Sequence, residues 1–255
     1  MKKFFVVCLA LLMAVGLSFT AVNAAPSAKA TAQLGDLSVV DVSGSGGSGT
    51  SNGDDTGWVA LFTQGIKVPT AKDLFVDVSL ECGLTTDTTV MSKKLVRAIA
   101  DAEAIVEVRV LVDTVPVPVN GNATPDTDIT FARRHQTLIA EFAGDISECM
   151  TIVDGEIVID WECVEPEMLR LILDTMQANS FNFILPDLQA GLHTVQIQAK
   201  LSYEASGNLE QEVIDDATVT MAEGQAFARA YLGNGSVTVE VVRMIKDEDV
   251  VVDLD

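Results

Sequence analysis

Apolar side chains recur at every second position through most of the chain beyond residue 57. In Ala104–Asp113, Val106, Val108, Val110 and Val112 fall on one side, with Glu107 and Arg109 on the other. Leu74–Cys82 alternates in the same way after its first residues, as do Ile129–Phe142, His193–Tyr203, Val213–Met221 and Ser236–Met244. Alternation over four or more residues marks a strand with one face in a core and one in water. The intervening punctuation is that of tight turns: Asn120-Gly121, Asp154-Gly155, Ala190-Gly191, Ser206-Gly207-Asn208 and Gly233-Asn-Gly235. Many strands separated by such turns predict an all-β fold, a two-sheet antiparallel sandwich.

Two segments break the period. Glu165–Gln177 carries Pro166 at a natural first helical position, acids in the opening turn, and a stripe of Met168, Leu169, Ile172, Leu173 and Met176 at i, i+4 spacing. This predicts one helix over 166–177, capping an open end of the sandwich. Ser92–Ala102 suggests a second, shorter one.

Ahead of the sandwich, residues 25–56 read as a flexible tail. Leu34–Val42 has the size of one short strand, and Ser43–Thr56 has linker composition. Fourteen such residues span roughly 20 Å. A strand-sized segment on such a tether suits addition to a sheet edge, in its own molecule or in another copy. The domain layout is thus a leader over 1–24, the tail over 25–56 and the sandwich over 57–255.

The run Leu188-Gln-Ala-Gly-Leu-His-Thr-Val-Gln-Ile-Gln-Ala199 resembles a turn-plus-strand of secreted β-sandwiches. It is similar to jelly-roll domains of the C1q/tumour-necrosis-factor type and to bacterial immunoglobulin-like domains. Gly235–Val242 is similar to the closing strand of the former. The resemblance favours a jelly-roll-like sandwich, and implies trimers and ligand-binding loops. It carries no binding residue across. Within the run, His193 falls in register with Val195, Ile197 and Ala199, which favours a structural histidine bonding a turn carbonyl over a catalytic one.

The start of the chain gives an address. Lys2 and Lys3 precede an apolar run from Phe4 to Val15, and Val22-Asn23-Ala24 offers small residues for cleavage. These are the marks of a secretory signal peptide, so the mature chain is expected to be secreted, extracellular or periplasmic. The run is shorter than the roughly 20 residues that cross a bilayer, no later stretch qualifies, and Cys8 sits too deep in it for lipidation. Losing Lys2 and Lys3 with the leader moves the formal charge from −21 to −23. That field repels nucleic acid and anionic membranes. Asp54-Asp55, Asp126/Asp128, Asp215-Asp216 and Asp247/Asp249 leave calcium open as a ligand, although none has the spacing of a calcium loop.

Export suits a disulfide. Cys149 and Cys163 flank a segment centred on Asp154-Gly155, the strongest short hairpin signal. A two-residue loop pairs Val153 with Glu156 and Cys149 with Asp160, keeping Cys163 near enough to bridge to Cys149. Closing that loop adds about 3 kcal/mol by loop entropy. Cys82 is left as a free thiol on a strand.

Catalytic constellations are wanting. The only histidines are His135 and His193, no G-x-S-x-G elbow occurs, and Trp58 and Trp161 are the only tryptophans. Arg133-Arg134-His135 is the one basic cluster. On a strand, Phe131, Arg133, His135 and Thr137 share a face, where Arg133 pairs with the protein's own acids or seats an anionic glycan. Asn122-Ala-Thr124 and Asn234-Gly-Ser236 match the glycosylation pattern. The reading is a secreted, non-catalytic sandwich with a structural or adhesive role and without catalytic, cofactor or metal residues. Its partners are further copies of itself or surface glycans. The alternatives are a glycan- or cation-binding module and, more remotely, a hydrolase of unrecognised type.

Overall fold

A computed structural model describes residues 30–37, 41–47, 57–119, 126–214 and 217–243. The strands are β1 (Ala30–Asp36), β2 (Asp41–Gly46), β3 (Val59–Val68), β4 (Lys72–Ser92), β5 (Arg97–Val112), β6 (Val115–Pro116), β7 (Asp128–Glu141), β8 (Met150–Val153), β9 (Glu156–Ile159), β10 (Glu167–Leu188), β11 (Gly191–Gly207), β12 (Leu209–Ile214) and β13 (Ala217–Val242). They form two antiparallel sheets and one separate hairpin. The first sheet runs β10–β4–β13, with β12, β2 and β1 following one another along the far edge of β13. The second runs β3–β11–β5, with β7 and the short β6 beyond. Passing from β3 to β4, β4 to β5, β7 to β10, β10 to β11 and β11 to β12, the chain changes sheet each time, a jelly-roll-like winding.

The alternating positions meet between the sheets. Leu74, Val76, Val78 and Leu80 of β4, with Val237 and Val239 of β13, pack against Val106, Val108, Val110, Val195 and Ile197 of the second sheet, all essentially dry. Towards the other end, the inward residues of β5 and β13 shrink to Ala98, Ala100, Ala102, Ala226, Ala228 and Ala230, while β4 keeps Leu84, Thr86, Thr88 and Val90. The sandwich tapers accordingly. At its thin end a Cβ on Gly224 would lie 1.7 Å from the carbonyl oxygen of Ile99, and one on Gly46 would lie 2.0 Å from that of Ala205. Only glycine lets the backbones approach this closely.

That contact explains the tail. Of the Leu34–Val42 segment, residues 34–36 belong to β1 and Asp41–Val42 to β2, both paired along β13 of the same molecule, with the Leu37 amide bonding the Gly233 carbonyl at 2.7 Å. Ser43–Gly46, with linker composition, lies inside β2, where its small size fits the thin end of the sandwich. The leader and most of the Gly/Ser stretch lie outside the described residues.

The helix expected over 166–177 is a strand. Residues 167–185 of β10 pair one for one with β4, from Glu167 opposite Ser92 to Leu185 opposite Leu74. The i, i+4 stripe misleads because both faces of the strand are apolar: Met168, Ile172 and Met176 point one way, and Leu169, Leu171 and Leu173 the other. Ser92–Ala102 is likewise no helix. Lys94 and Leu95, at φ 59° and 57°, make a turn, and alternating alanines enter β5. Val213–Met221 divides between β12 and β13, whose ends pair Ile214 with Ala217.

The taper yields a contrast between two glycines. Gly224→Val is expected to cost about 3 kcal/mol, at the upper end for overpacking. Gly65→Ala in β3, with nothing within 4 Å of its Cβ position, should change stability by a few tenths of a kcal/mol. Urea denaturation of both variants checks this.

Candidate functional site

The hairpin reads as its sequence predicts. Val153 pairs with Glu156 across Asp154-Gly155, and the Asp160 amide donates to the Cys149 carbonyl at 2.9 Å. Cys149 and Cys163 form a disulfide with Cα atoms 5.6 Å apart. The hairpin pairs with neither main sheet. Its base is gripped instead: the buried Lys93 ammonium donates to the carbonyls of Trp161 (2.6 Å) and Val164 (2.8 Å), and burial pulls its pKa down. Lys94 lies 5.6 Å over the Trp161 ring and pairs with Glu212. Beyond this grip the apolar side chains stand in solvent, with Ile152 77% and Ile157 69% exposed.

β10 follows directly and is the outermost strand of the first sheet. Its second edge is unpaired among the described residues. On its outward face Arg170 donates to both Asp87 oxygens (2.9 and 2.5 Å), and Asp174 accepts from the Thr85 hydroxyl at 2.9 Å. Further across the sheet Arg229 forms a bidentate pair with Asp41 (3.0 and 2.7 Å) and stacks on Tyr231. An open depression of about 400 Å³ lies on this face, lined by Ser45, Asp87, Thr89, Met168, Arg170 and Phe227. On its inward face β10 overhangs β7. There Gln136 bridges Thr86, Thr88 and the Leu171 carbonyl, and Arg134 donates to the Thr175 hydroxyl. The Arg134 Nε is buried without a partner.

Arg133 and Arg134 do point opposite ways, but Phe131 leaves the Arg133 face. A bulge opposite Val106 and Glu107 makes Phe131 the extra residue, and it turns into the core. On the water side Arg133 pairs with Glu103, and His135 Nε2 meets both Asp101 oxygens at about 3 Å. Thr137 reaches the same imidazole nitrogen, so His135 relays nothing from carboxylate to hydroxyl. Trp58 is covered by the Arg109 guanidinium at 4.1 Å. Cys82 is fully buried, and burial pushes its thiol up to about 12. Among the described residues no three His, Cys, Asp or Glu side chains converge as a cation site. Asp54-Asp55, Asp215-Asp216, Asp247/Asp249 and Asn122–Thr124 lie outside the described residues.

No family model matches the chain, and no curated protein matches it. Among solved structures, similarity reaches the infectious bursal disease virus Gx strain particle, at 8% identity and a TM-score of 0.21, covering 85% of this chain and 43% of that one. The protein thus spans less than half the length of that chain. VP1 of Trichodysplasia spinulosa-associated polyomavirus, solved with sialylated glycooligomers, is similar at 8% identity and a TM-score of 0.20, covering 81% of this chain and 100% of that one. At such scores the likeness reaches no functional residue.

His193 is held at both nitrogens. Nδ1 meets Asp113 at 2.6 Å and Nε2 meets the Gln189 carbonyl at 2.8 Å. Asp113 sits at φ 50° in the two-residue turn between β5 and β6, and also accepts from the Thr194 amide at 2.8 Å. That amide, and then His193, hold its carboxyl below its ordinary value, while the Asp113 bond raises His193 above 6.5. The raised His193 adds stability that is complete below about 6.5 and is lost as pH climbs through its folded value. The lowered Asp113 adds stability above about 3.8 that is lost as pH falls through its own. The tie is complete between them. His193→Ala should cost about 1 kcal/mol near pH 5.5, the low end because Asp113 is half exposed, and less near pH 9. Thermal melts of the two proteins at both pH values check it. An equal loss at both would show that the pair does not titrate as argued.

The thiol gives a simpler check. Cys82 should resist iodoacetamide in the native protein and react at once in about 6 M guanidinium, since only the exposed thiolate attacks.

Proposed function

We propose that the chain is an exported, non-catalytic β-sandwich with a structural or adhesive role outside the cytoplasm, working through self-association. One observation carries this reading. Of the twenty exposed large apolar side chains among the described residues, thirteen fall between Met150 and Ile184, on the hairpin and β10. Scattered exposed leucines need no explanation, but exposed apolar side chains concentrated in one stretch of chain mark an interaction site. The backbone there is suited to pairing, because β10 has a free edge.

The polar groups support the non-catalytic part. Both histidines are committed to carboxylates, each charged pair on the outward sheet faces is satisfied internally, and the free thiol is sealed in the core. The signal-like leader and the disulfide at the base of the hairpin suit an oxidising exterior. The high negative charge keeps such a protein soluble until its apolar surface is covered.

Light scattering coupled to size-exclusion chromatography tests the reading on the chain from Ala25 onward. A mass of two or more chains at micromolar concentration is expected. A strict monomer across that range would overturn it.

A further inference from the structure

We infer that two copies join by antiparallel pairing of their β10 edges, in one register, with Ile172 of each chain facing Ile172 of the other. The inference rests on the self-association reading and names its geometry.

Three features of β10 carry it. The first is that this edge lacks lysine, proline and bulges over residues 167–185, three of the devices that blunt a sheet edge. Natural edges carry lysines, prolines or bulges, or are very short. Residues 167–185 contain neither lysine nor proline, and their pairing to β4 is regular throughout. Pro166 and Pro186, which lack an amide donor, bracket the segment and set the limits of any ladder added to it.

The second is that an added strand buries apolar surface on both faces. Met168 and Ile172 stand 63% and 53% exposed outside, while Leu169, Leu171 and Leu173 lie exposed on the inward face where β10 overhangs β7.

The third selects the partner. The segment Glu-Met-Leu-Arg-Leu-Ile-Leu-Asp-Thr-Met-Gln (167–177) is complementary to its own reverse about Ile172. Antiparallel pairing of two copies there sets Arg170 opposite Asp174 twice, Met168 opposite Met176, and Leu171 opposite Leu173. Opposed charges of unlike sign and opposed apolar pairs are the stabilising cross-strand combinations. Moving the two-fold one residue either way sets Arg170 against Met176 or Ile172, and Asp174 against Ile172 or Met168. The charges themselves therefore reject the neighbouring registers. Arg170 and Asp174 keep capacity for this, since the guanidinium has five donors and the carboxylate about four acceptor sites. Asp87 and Thr85 occupy only part of it.

Engineered cysteines read the register. Opposed Cβ atoms in an antiparallel pair lie about 5 Å apart, so Ile172→Cys should oxidise to a covalent dimer. The two copies of residue 176 lie about 27 Å apart, eight residues at about 3.4 Å each. Met176→Cys alone should not cross-link, whereas a mixture of Met168→Cys and Met176→Cys should give the mixed dimer. All three positions are solvent-facing, and circular dichroism confirms that the variants fold. The buried Cys82 thiol, with its pKa near 12, stays out of the exchange. Self-cross-linking at 176, or its absence at 172 while light scattering still reports multimers, would overturn the pairing and leave self-association standing. An Ile157→Cys product with Ile172→Cys in place of the 172 self-product would put the partner's hairpin on this edge and overturn it too. A monomer by light scattering would remove both readings.

Discussion

The layer between the two sheets is the constraint on which the rest of the molecule depends. The long strands β4, β5, β11 and β13 contribute alternate residues to it, and the size of those residues sets the local distance between backbones. Valine and leucine hold the sheets apart at one end, while alanine and glycine let them close at the other. Stacked sheets ordinarily lie about 10 Å apart, and the taper departs from that spacing by side-chain volume alone. Its consequence reaches the N-terminal segment. With Gly46 against the Ala205 carbonyl, β2 closes the thin end and β1 continues along β13.

The β10 side stands open. β10 pairs fully with β4, yet it meets β7 through polar bonds made by Gln136, Arg134 and Asn179, and Leu169, Leu171 and Leu173 remain in water. A core-forming pattern has been written onto an edge that carries neither lysine nor proline between residues 167 and 185. The hairpin, pinned by its disulfide and by Lys93, exposes further apolar side chains. Apolar exposure on this scale in a protein with a formal charge of −21 makes the surface the natural place to look for function.

Much of this was legible in the residues, for identifiable reasons. Period-two runs such as Val106–Val112 have one physical solution, and Asp154-Gly155 fixes both its hairpin and the proximity of Cys149 to Cys163. The failures are equally specific. β10 reads as a helix because apolar residues on both faces of a strand, with Arg170 and Asp174 four apart, reproduce an i, i+4 stripe. Only the pairing with β4 decides between them. Ser43–Gly46 reads as linker because small residues give flexibility when free and close approach when packed, and composition does not distinguish the two. Phe131 left its expected face because a single extra residue in β7 inverts the alternation. The β10 surface lies in the segment whose sequence reads as a capping helix, since unpartnered apolar residues have the same pattern as core residues.

Residue-resolved amide hydrogen exchange across β10, at low and high protein concentration, tests the claim that this edge is a pairing surface most directly. Amides pointing toward β4 are bonded in either case, so the outward-pointing amides between Glu167 and Gln177 carry the information. The account predicts that these slow at high concentration, in alternation along the strand, while the exposed edge of β3 is unchanged. Outward amides that exchange equally fast at both concentrations, in a protein that is multimeric at the higher one, would contradict it.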